Sequence, residues 1–451
     1  MKVYIRTFGC QMNKLDSETI GNNLIQYGHT LVTDETEADV IIFNTCSVRQ
    51  SAEERAYANL RLLKTLKDSR PELIIGLVGC MAEKDKTDAV KRIPYLDLVC
   101  GPNQEHEIPR MIDEIHKERR TIIKTGEGIR LDTREHMNSL TREPSAYVLA
   151  MRGCDNYCSY CVVPYVRGRE ISRPMDDIVT EVKNLAQNGV KEITLLGQNI
   201  SSYVVKRPTP NAQPTTALSN LLKSIHDTDG IQRIRFITSH PAYTKEDLFY
   251  AMRDLPKVCP YIHMPAQSGS NKILKAMNRK YTREDYLRII EKARKIIPDI
   301  EFGSDFIVGF PGETESDFQE TVALIKEVKF INSFIFKYST RPGTASAKLL
   351  DDVPYKVKQE RNKILLDIQS QISREKNQSL VGKTMEILVE GKSKTNPNRL
   401  QGRTKYNQIV ICEATAESRP NRGETAEDLI GKLVNVTITS ATDLSLRGKL
   451  Y

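Results

Sequence analysis

Three cysteines follow one another closely in the 451-residue chain. Cys154, Cys158 and Cys161 have the spacing Cys-x3-Cys-x2-Cys. Disulfide frameworks use cysteines in pairs and closed structural zinc sites use four ligands, so three thiols suit neither. Thiolates also bind iron–sulfur clusters, usually four to a cubane, and three thiolates leave one iron free for another ligand. The odd number of thiols therefore favours a cluster with one open iron.

A second cysteine triplet lies in the first part of the chain. Cys10, Cys46 and Cys80 each end an apolar run, and they are 36 and 34 residues apart. Alternating strand and helix patterns over residues 1–120 predict a doubly wound parallel sheet, in which the strands end at one shared edge. One cysteine at a strand end is commonly a small buried apolar residue, but three in phase predict a common site. Cys100 ends a fourth candidate strand, which leaves open whether it is a further ligand.

Six more strand-like runs follow the first domain, with helical segments between them, and predict an open or partial (β/α) barrel. Barrel enzymes carry their active sites at the carboxyl ends of the strands. His240 and His263 lie near such ends, where satisfied imidazoles are at least as common as catalytic ones. A three-cysteine zinc site would not account for two triplets. Polar or glycine-rich residues end nearly every run: the cysteine triplet, Gly197–Asn199, Ser239–Pro241, Ala266–Ser270, Gly309–Thr314 and Ser339–Thr344.

The central cysteine spacing, with an aromatic residue just before the last thiol, resembles the radical S-adenosylmethionine (SAM) superfamily. The resemblance implies a 4Fe-4S cluster that binds SAM at its open iron and cleaves it to a 5′-deoxyadenosyl radical. "LLGQN" corresponds to the motif that holds the methionine end of SAM, without the usual Gly-Gly-Glu, and "GSDFIVGFPGET" resembles the segment beside the adenine. The SAM-binding residues implied are Tyr160, Gln198, Asn199, Ser239, Gln267 and Asp305.

The last part of the chain has a different pattern. A helical segment over Pro354–Lys376 precedes short strands and turns, which predict a small β-barrel. "GKSKTNPNRLQGRTKYN" holds five basic residues, one aromatic and no acid, and is either a solvated loop or a path for a phosphate backbone. The layout resembles the TRAM domain of RNA-modifying enzymes. The RNA contacts that this resemblance suggests are Arg341, Lys392, Lys394, Arg399, Arg403 and Lys405.

The order of the domains resembles the methylthiotransferase family of radical SAM enzymes over essentially the whole chain. The resemblance implies an N-terminal domain (1–120), a linker (121–145), a radical SAM core (146–378) and a TRAM domain (379–451). It assigns a second, auxiliary 4Fe-4S cluster to Cys10, Cys46 and Cys80, and Cys100 falls outside the family pattern. "TFGCQMNKLDSE" matches the branch that modifies isopentenylated adenosine beside the tRNA anticodon.

This branch implies methylthiolation of carbon 2 of N6-isopentenyladenosine at position 37 of the tRNA. Two SAM molecules serve each turnover: one methylates a sulfur at the auxiliary cluster, and the other is reductively cleaved. The implied partners are the tRNA anticodon stem-loop, an electron donor such as flavodoxin or ferredoxin, and an iron–sulfur or sulfur supply system, and we expect a monomer. Threonylcarbamoyladenosine and a ribosomal-protein aspartate are the alternative substrates, although those branches usually have Lys-Val or Pro-Lys after the first cysteine.

Composition limits the remaining possibilities. A net charge of +8 is modest for this length, and a solvated surface accounts for it, so charge alone does not establish RNA binding. No apolar run approaches the ~20 residues of a membrane span. The start of the chain lacks signal- and transit-peptide features, and we predict a cytoplasmic protein with no membrane partner. A non-enzymatic RNA-binding protein with structural zinc remains the competing class.

Overall fold

The computed structural model describes residues 1–47, 50–126, 143–204, 217–413 and 425–450. These residues fall into two compact units, described separately below. The first unit includes residues 152–157 and 161–171 besides the N-terminal region, and the second holds residues 143–151, 158–160 and the rest of the described chain from 172 on. Among the helices described, none combines the length and apolar character needed to cross a bilayer.

A parallel sheet forms the centre of the first unit. Its strands, within the described residues, are β1 (Lys2–Thr7), β2 (Thr30–Leu31), β3 (Val40–Thr45), β4 (Ile74–Gly79), β5 (Leu98–Cys100) and β6 (Ile122–Lys124). They lie in the order β2-β1-β3-β4-β5-β6, so the strand order reverses at β1. Every residue of β3 and β4 is buried, as expected for strands covered on both faces.

Helices cover both faces of this sheet. They are α1 (Gln11–Gln26), α2 (Gln50–Leu62), α3 (Lys64–Ser69), α4 (Cys80–Asp85), α5 (Thr87–Arg92) and α6 (Ile108–Glu118), with the short α7 (Val163–Val166) in the same unit. Ile41 and Phe43 pack on the α2 side, whereas Val40 and Ile42 pack on the side of α1 and α6. This alternation produces two cores around one sheet and confirms the predicted doubly wound fold. β6 lies inside the segment predicted as a linker, so the sheet extends past the predicted boundary.

The second unit contains the central barrel. Its six principal strands form two parallel sheets, each of three strands. A bridge between Ile234 and Val258 connects the first sheet to the chain just before the second. The predicted partial barrel is therefore confirmed. Two strands of two residues, β8 (Met151–Arg152) and β9 (Ile171–Ser172), pair with each other, and each has one residue in either unit. The strands of the two sheets are β7 (Ser145–Leu149), β10 (Glu192–Leu196) and β11 (Arg233–Ile237) in one, and β12 (Tyr261–His263), β13 (Glu301–Val308) and β14 (Asn332–Lys337) in the other.

Amphipathic helices surround this barrel. Capping boxes at Thr282 with Asp285 and at Thr314 with Asp317 set the starts of two helices, because each side chain satisfies a free backbone N–H of the first turn. Apolar residues of the helices and strands share one core. The helices are α8 (Met175–Gln187), α9 (Leu218–His226), α10 (Glu246–Asp254), α11 (Asn271–Ala276), α12 (Arg283–Ile296), α13 (Glu315–Val328) and α14 (Tyr355–Gln378).

A small closed barrel ends the second unit. Its strands are β15 (Thr384–Lys392), β16 (Arg399–Thr404), β17 (Ile409–Glu413), β18 (Leu433–Ala441) and β19 (Leu446–Leu450). They close in the order β15-β16-β17-β19-β18, and the predicted small β-barrel is confirmed. Closure leaves no free strand edge, and the interior is filled by its own apolar cluster.

Candidate functional site

The first cysteine triplet lies at the carboxyl edge of the six-stranded sheet. Cys10 lies in the short loop between β1 and α1, Cys46 directly follows β3, and Cys80 begins α4 directly after β4. These three strands are neighbours, and the strand order reverses between β1 and β3. Open α/β sheets bind ligands at such a reversal, so the fold brings the three thiols to the expected position for a ligand.

Cys10 interacts with the other two thiols, and both Cys10 and Cys80 interact with Arg167. A hydrogen bond with Cys46 lowers the pKa of the Cys10 thiol to about 6, against the effect of burial and with help from the charge of Arg167. Arg167 Nε donates to Cys80 Sγ at 3.2 Å. Burial nevertheless raises the pKa of Cys80. None of the three is in a disulfide.

Two glycines make room for this group. A Cβ atom at Gly9 would lie 2.5 Å from Cβ of Cys46, and the φ of Gly9 is 139°. Gly79 has φ 88°, and a Cβ atom there would lie 2.6 Å from the carbonyl oxygen of Thr45. Both positions need a backbone that only glycine adopts easily, so the close approach of the cysteine loops depends on them.

Two buried asparagines, Asn13 and Asn44, hold the segments beside Cys10 and Cys46 in place. Asn13 Nδ2 donates to Oδ1 of Asn44 and to the carbonyl of Thr45, both at 3.0 Å. Asn44 Nδ2 donates in return to the carbonyl of Asn13 at 2.8 Å. Cys10 Sγ lies 3.3 Å from Oδ1 of Asn13. The amide pair therefore connects the first turn of α1, just after Cys10, to the end of β3, just before Cys46.

Cys100 has different surroundings. It is the last residue of β5, is fully buried, and packs with Ile108 and Met111 of α6. Burial raises the pKa of its thiol well above the ordinary value. A neutral thiol in an apolar cluster is typical of a core residue rather than of a metal ligand.

The central cysteines occupy a single loop. Cys154 and Cys158 are each 9% exposed, and Cys161 is half-buried. Asn156 Nδ2 donates to Cys154 Sγ at 3.4 Å. Among the residues that the structure describes, no three His, Cys, Asp or Glu side chains lie close enough to hold one metal ion. A cubane spreads its ligands over several irons, so cluster thiolates stand farther apart than the ligands of one zinc ion.

Arg279 lies beside the middle cysteine of this loop. Its Nη1 donates to Cys158 Sγ at 3.3 Å, while Nη2 donates to the carbonyl of Pro265 at 3.0 Å and Nε to the hydroxyl of Tyr281 at 2.9 Å. Burial alone would lower the pKa of Arg279, but Tyr281, Tyr160 and Cys158 together hold it well above the ordinary value. A permanent, rigidly held cation thus contacts one thiol of the triplet.

Three of the predicted SAM contacts have unsatisfied polar atoms. Gln198 Oε1, Asn199 Nδ2 and Ser239 Oγ are buried and have no hydrogen-bond partner. Gln198 and Asn199 follow β10, and Ser239 follows the neighbouring β11. An unsatisfied buried group costs roughly 1–3 kcal/mol, so the three atoms indicate a polar ligand. An amide N–H suits a carboxylate and an amide oxygen suits an ammonium, which are the groups at the methionine end of SAM.

The other predicted SAM contacts are held by neighbours. The Gln267 N–H donates to the carbonyl of Asp305 at 2.8 Å, and Asp305 Oδ1 lies 3.1 Å from His263 Nε2. Tyr160 packs against an apolar group that includes Met277. Gln267 follows β12, Asp305 lies within β13, and Tyr160 lies in the cysteine loop. Gln267 and the cysteine loop are at the carboxyl ends of barrel strands, the face where barrel enzymes bind ligands.

The predicted RNA contacts divide into two groups. Four of the five predicted RNA contacts in the C-terminal barrel form ion pairs with acids elsewhere in the second unit. The acid-free sequence stretch does not reveal these acids, because they lie outside it. Exposed pairs contribute only about 0–1 kcal/mol, so phosphates can replace the acids. Lys394 is exposed. The pairs are Lys392 with Glu427 (2.6 Å), Arg399 with Glu413 (2.7 Å), Arg403 with Glu390 (3.0 Å) and Lys405 with Asp299 (3.3 Å).

Arg341 has different surroundings from the other predicted RNA contacts. It is only 8% exposed, in the turn after β14, and its carbonyl accepts a hydrogen bond from Thr344 Oγ1 at 2.7 Å. So little exposed surface does not suit contact with a polyanion. The strand-end pattern located this turn but could not show that its arginine is directed inward.

Comparison with known proteins decides the family. The chain matches Uncharacterized protein family UPF0004 over residues 2–101, the Radical SAM superfamily over 148–325 and the TRAM domain over 378–451. It is 42% identical over 459 aligned residues to the tRNA-2-methylthio-N(6)-dimethylallyladenosine synthase of Acetivibrio thermocellus, covering 100% of this chain and 91% of the relative. The chain belongs to the methylthiotransferase family of radical SAM enzymes.

Other relatives agree with this assignment. A Neisseria gonorrhoeae methylthiotransferase of the same name is 43% identical over 453 residues, covering 100% of this chain and 99% of the relative. Among solved structures, the radical S-adenosylmethionine methyltransferase TsrM from Kitasatospora setae has a TM-score of 0.53 at 15% identity, covering 76% of each chain. The cobalamin-dependent radical enzyme OxsB has a TM-score of 0.52 at 14% identity, covering 80% of this chain and 56% of that one. These two likenesses concern the fold.

Membership in the radical SAM family implies a 4Fe-4S cluster and SAM, and the residues described fit both groups. Sequence reasoning missed several residues around the thiols. Asn13 and Asp16 lie three and six residues after Cys10 in α1, a spacing that places them near one helix face and could have marked them. No comparable spacing in the sequence marks Arg167 or Arg279.

Proposed function

We propose that this chain transfers a methylthio group to carbon 2 of N6-isopentenyladenosine at position 37 of tRNA. The observation that carries the proposal is the pair of cysteine triplets, neither closed by disulfides, in a chain 42–43% identical over its length to enzymes named for this product. The proposal assigns the auxiliary cluster to the N-terminal domain, SAM cleavage to the central barrel and tRNA binding to the C-terminal barrel.

In this proposal Cys154, Cys158 and Cys161 hold the cluster that binds SAM. Gln198, Asn199 and Ser239 receive the methionine end of SAM, because their unpartnered atoms supply both donors and acceptors. Tyr160, Gln267 and Asp305 complete the SAM site. When bound, the cluster and SAM supply the radical that removes the carbon-2 hydrogen, a step that no side-chain base can perform at neutral pH.

Cys10, Cys46 and Cys80 are proposed to hold the second cluster, and two SAM molecules are used per turnover. The position of the three thiols at one sheet edge supports this assignment. The lowered pKa of Cys10 supports it too, because metals bind the thiolate form. The role of the chain is to orient the clusters, SAM and the substrate base and to exclude water. An anticodon-loop base is already close to single-stranded, so extruding it costs comparatively little.

The remaining partners follow from the reaction. Reductive cleavage needs a one-electron donor, for which flavodoxin or ferredoxin is suitable, and the inserted sulfur needs a supply system. We propose that the chain acts as a monomer in the cytoplasm. In the C-terminal barrel, Lys392, Lys394, Arg399, Arg403 and Lys405 are the proposed RNA contacts.

The test is nucleoside mass spectrometry after anaerobic incubation of the reconstituted protein with SAM and a reductant. One tRNA carries isopentenyladenosine, and a parallel tRNA carries threonylcarbamoyladenosine. Methylthiolation of the first alone is the expected result. Methylthiolation of the second would replace the proposed substrate, and SAM cleavage without either product would point to a protein substrate. Zinc in place of iron, with no SAM cleavage, would favour the non-enzymatic RNA-binding class.

A further inference from the structure

Arg167 is a buried cation at the first cysteine triplet. It lies six residues after Cys161, directly after α7, and is 5% exposed. The segment 161–171 belongs to the same compact unit as the six-stranded sheet. Val162, just before α7, and Val166, the last residue of α7, pack against Cys80. The chain that leaves the central cysteine loop is therefore attached to the N-terminal triplet.

The guanidinium of Arg167 is shared between two partners. Nη2 donates to Asp16 Oδ2 at 2.6 Å, and Nε donates to Cys80 Sγ at 3.2 Å. Asp16 Oδ1 accepts a further hydrogen bond from Arg152 Nη2 at 3.2 Å. Arg167 Nη1 is buried without a partner. Asp16 fixes the orientation of the guanidinium, and this orientation directs Nε at the thiol.

The hydrogen bond from Arg167 to Cys80 can affect a bound cluster as well as the stability of the fold. A buried ion pair between Arg167 and Asp16 is weak evidence for stability, because desolvation offsets much of its attraction. Hydrogen bonds to the sulfurs and the net charge nearby are among the factors that set the reduction potential of an iron–sulfur cluster. Residues that contact metal ligands also fix ligand orientation.

We propose that Arg167 is a positioning residue for the auxiliary cluster, orienting the Cys80 sulfur and raising the reduction potential of the cluster. The inference rests on the proposed function, because it requires a cluster at Cys10, Cys46 and Cys80. A donated hydrogen bond and a positive charge both stabilise the more negative, reduced state. Loss of either therefore moves the potential to more negative values.

The experiment isolates the auxiliary cluster in the full-length chain. Cys154, Cys158 and Cys161 are replaced together by alanine, so that any reconstituted cluster is the auxiliary one. Its potential is measured by redox titration followed by electron paramagnetic resonance, in this background and with Arg167→Lys or Arg167→Gln added. Arg169→Gln is the matched control, since the Arg169 side chain is 72% exposed and pairs with Asp155 at the surface.

We expect the potential to fall in the order Arg167, Arg167→Lys, Arg167→Gln, with Arg169→Gln equal to the parent. Lysine keeps the charge but has no second donor in the planar arrangement that reaches both Asp16 and Cys80. If Arg167→Gln does not retain iron, the reduction potential of Arg167→Lys is compared with that of the parent, and a lower value in the variant supports the inference. Equal potentials in all chains would overturn the inference alone. Absence of a cluster from the parent background would overturn both the inference and the auxiliary cluster on which it rests.

Discussion

Arg235 and Glu192 form a buried ion pair between the neighbouring strands β11 and β10. Arg235 Nε lies 3.0 Å from Glu192 Oε2, without the alignment of a hydrogen bond, and both side chains are less than one-tenth exposed. The other two guanidinium nitrogens donate to the carbonyls of Thr404 at 2.7 Å and Lys405 at 3.1 Å, at the end of β16. Arg235 thus connects the central barrel to the C-terminal barrel, together with Arg233 of the same strand, which donates to the carbonyl of Arg403.

Replacement of Arg235 by methionine should weaken this connection. Glu192 would lose its buried counter-charge, and breaking a buried pair by removing one partner typically costs about 3–5 kcal/mol. We expect lower thermal stability by circular dichroism and earlier release of the C-terminal barrel in limited proteolysis. Arg253→Gln is the control, because Arg253 and its partner Asp254 lie at the surface. Equal proteolysis of the two variants would contradict the proposed connection.

Arg279 offers a prediction for the central cysteine loop. Arg279→Gln removes the charge beside Cys158 and the guanidinium that now makes three hydrogen bonds. We expect a loss of SAM cleavage of 10-fold or more, on the order of the loss typical when a residue supporting a metal ligand is replaced. Production of 5′-deoxyadenosine without tRNA measures this effect. Arg288→Gln, at an exposed pair on α12, should cleave SAM at the parent rate.

Iron content tests whether Cys100 is a cluster ligand or a core residue. Cys100→Ala should keep all of the iron and lose roughly 1–2 kcal/mol of stability, because it opens a small cavity in the core. Cys46→Ala should lose about half of the iron, since one of two 4Fe-4S clusters loses a ligand. Cys259→Ala is the matched control, a fully buried thiol of the central barrel. Iron loss in Cys100→Ala but not in Cys259→Ala would make Cys100 a ligand.

These residues show what the sequence could and could not predict. Apolar runs located the strands that carry the two triplets, because burial on both sheet faces leaves a pattern in consecutive residues. β6 has only three residues, and its pairing with β5 leaves no comparable local pattern. The contact between Arg167 and Asp16 joins positions 151 residues apart, and no local periodicity encodes it. Partners of buried charges are set by the tertiary fold, so the arginines beside the thiols could not be predicted.

His240 predicts a specific dependence of stability on pH. Burial lowers its pKa to about 2, with smaller contributions from Arg279 and Lys280, and its ring contacts those of Tyr243 and Tyr281. Below the unfolded-state pKa of about 6.5, the unfolded chain binds a proton that the folded chain does not, so stability falls as the pH falls. Above that pH the residue has no effect on stability. From pH 6.5 to 5 the loss should approach about 2 kcal/mol.

The variant His240→Asn should remove this dependence. Asparagine has no titrating group and can still accept the N–H of Ala242, which His240 Nδ1 now accepts at 3.2 Å. Melting temperatures of the apo-protein between pH 5 and 8, followed by circular dichroism, provide the measurement. The variant should lose less stability than the parent on acidification. Parallel curves for the two proteins would assign the acid sensitivity to other groups.

The C-terminal barrel yields a prediction about salt dependence. Lys394 is exposed in the turn between β15 and β16, within the basic stretch proposed to contact RNA. Each phosphate contact releases counterions and contributes roughly 0.7–0.9 to the slope of log affinity against log salt. Lys394→Ala should reduce the slope for the anticodon stem-loop by about that amount and weaken binding at low salt. Lys449→Ala, at an exposed lysine of β19 in the same barrel, is the control. An unchanged slope in Lys394→Ala would remove Lys394 from the RNA interface, whereas an equal decrease in both variants would indicate a general charge effect.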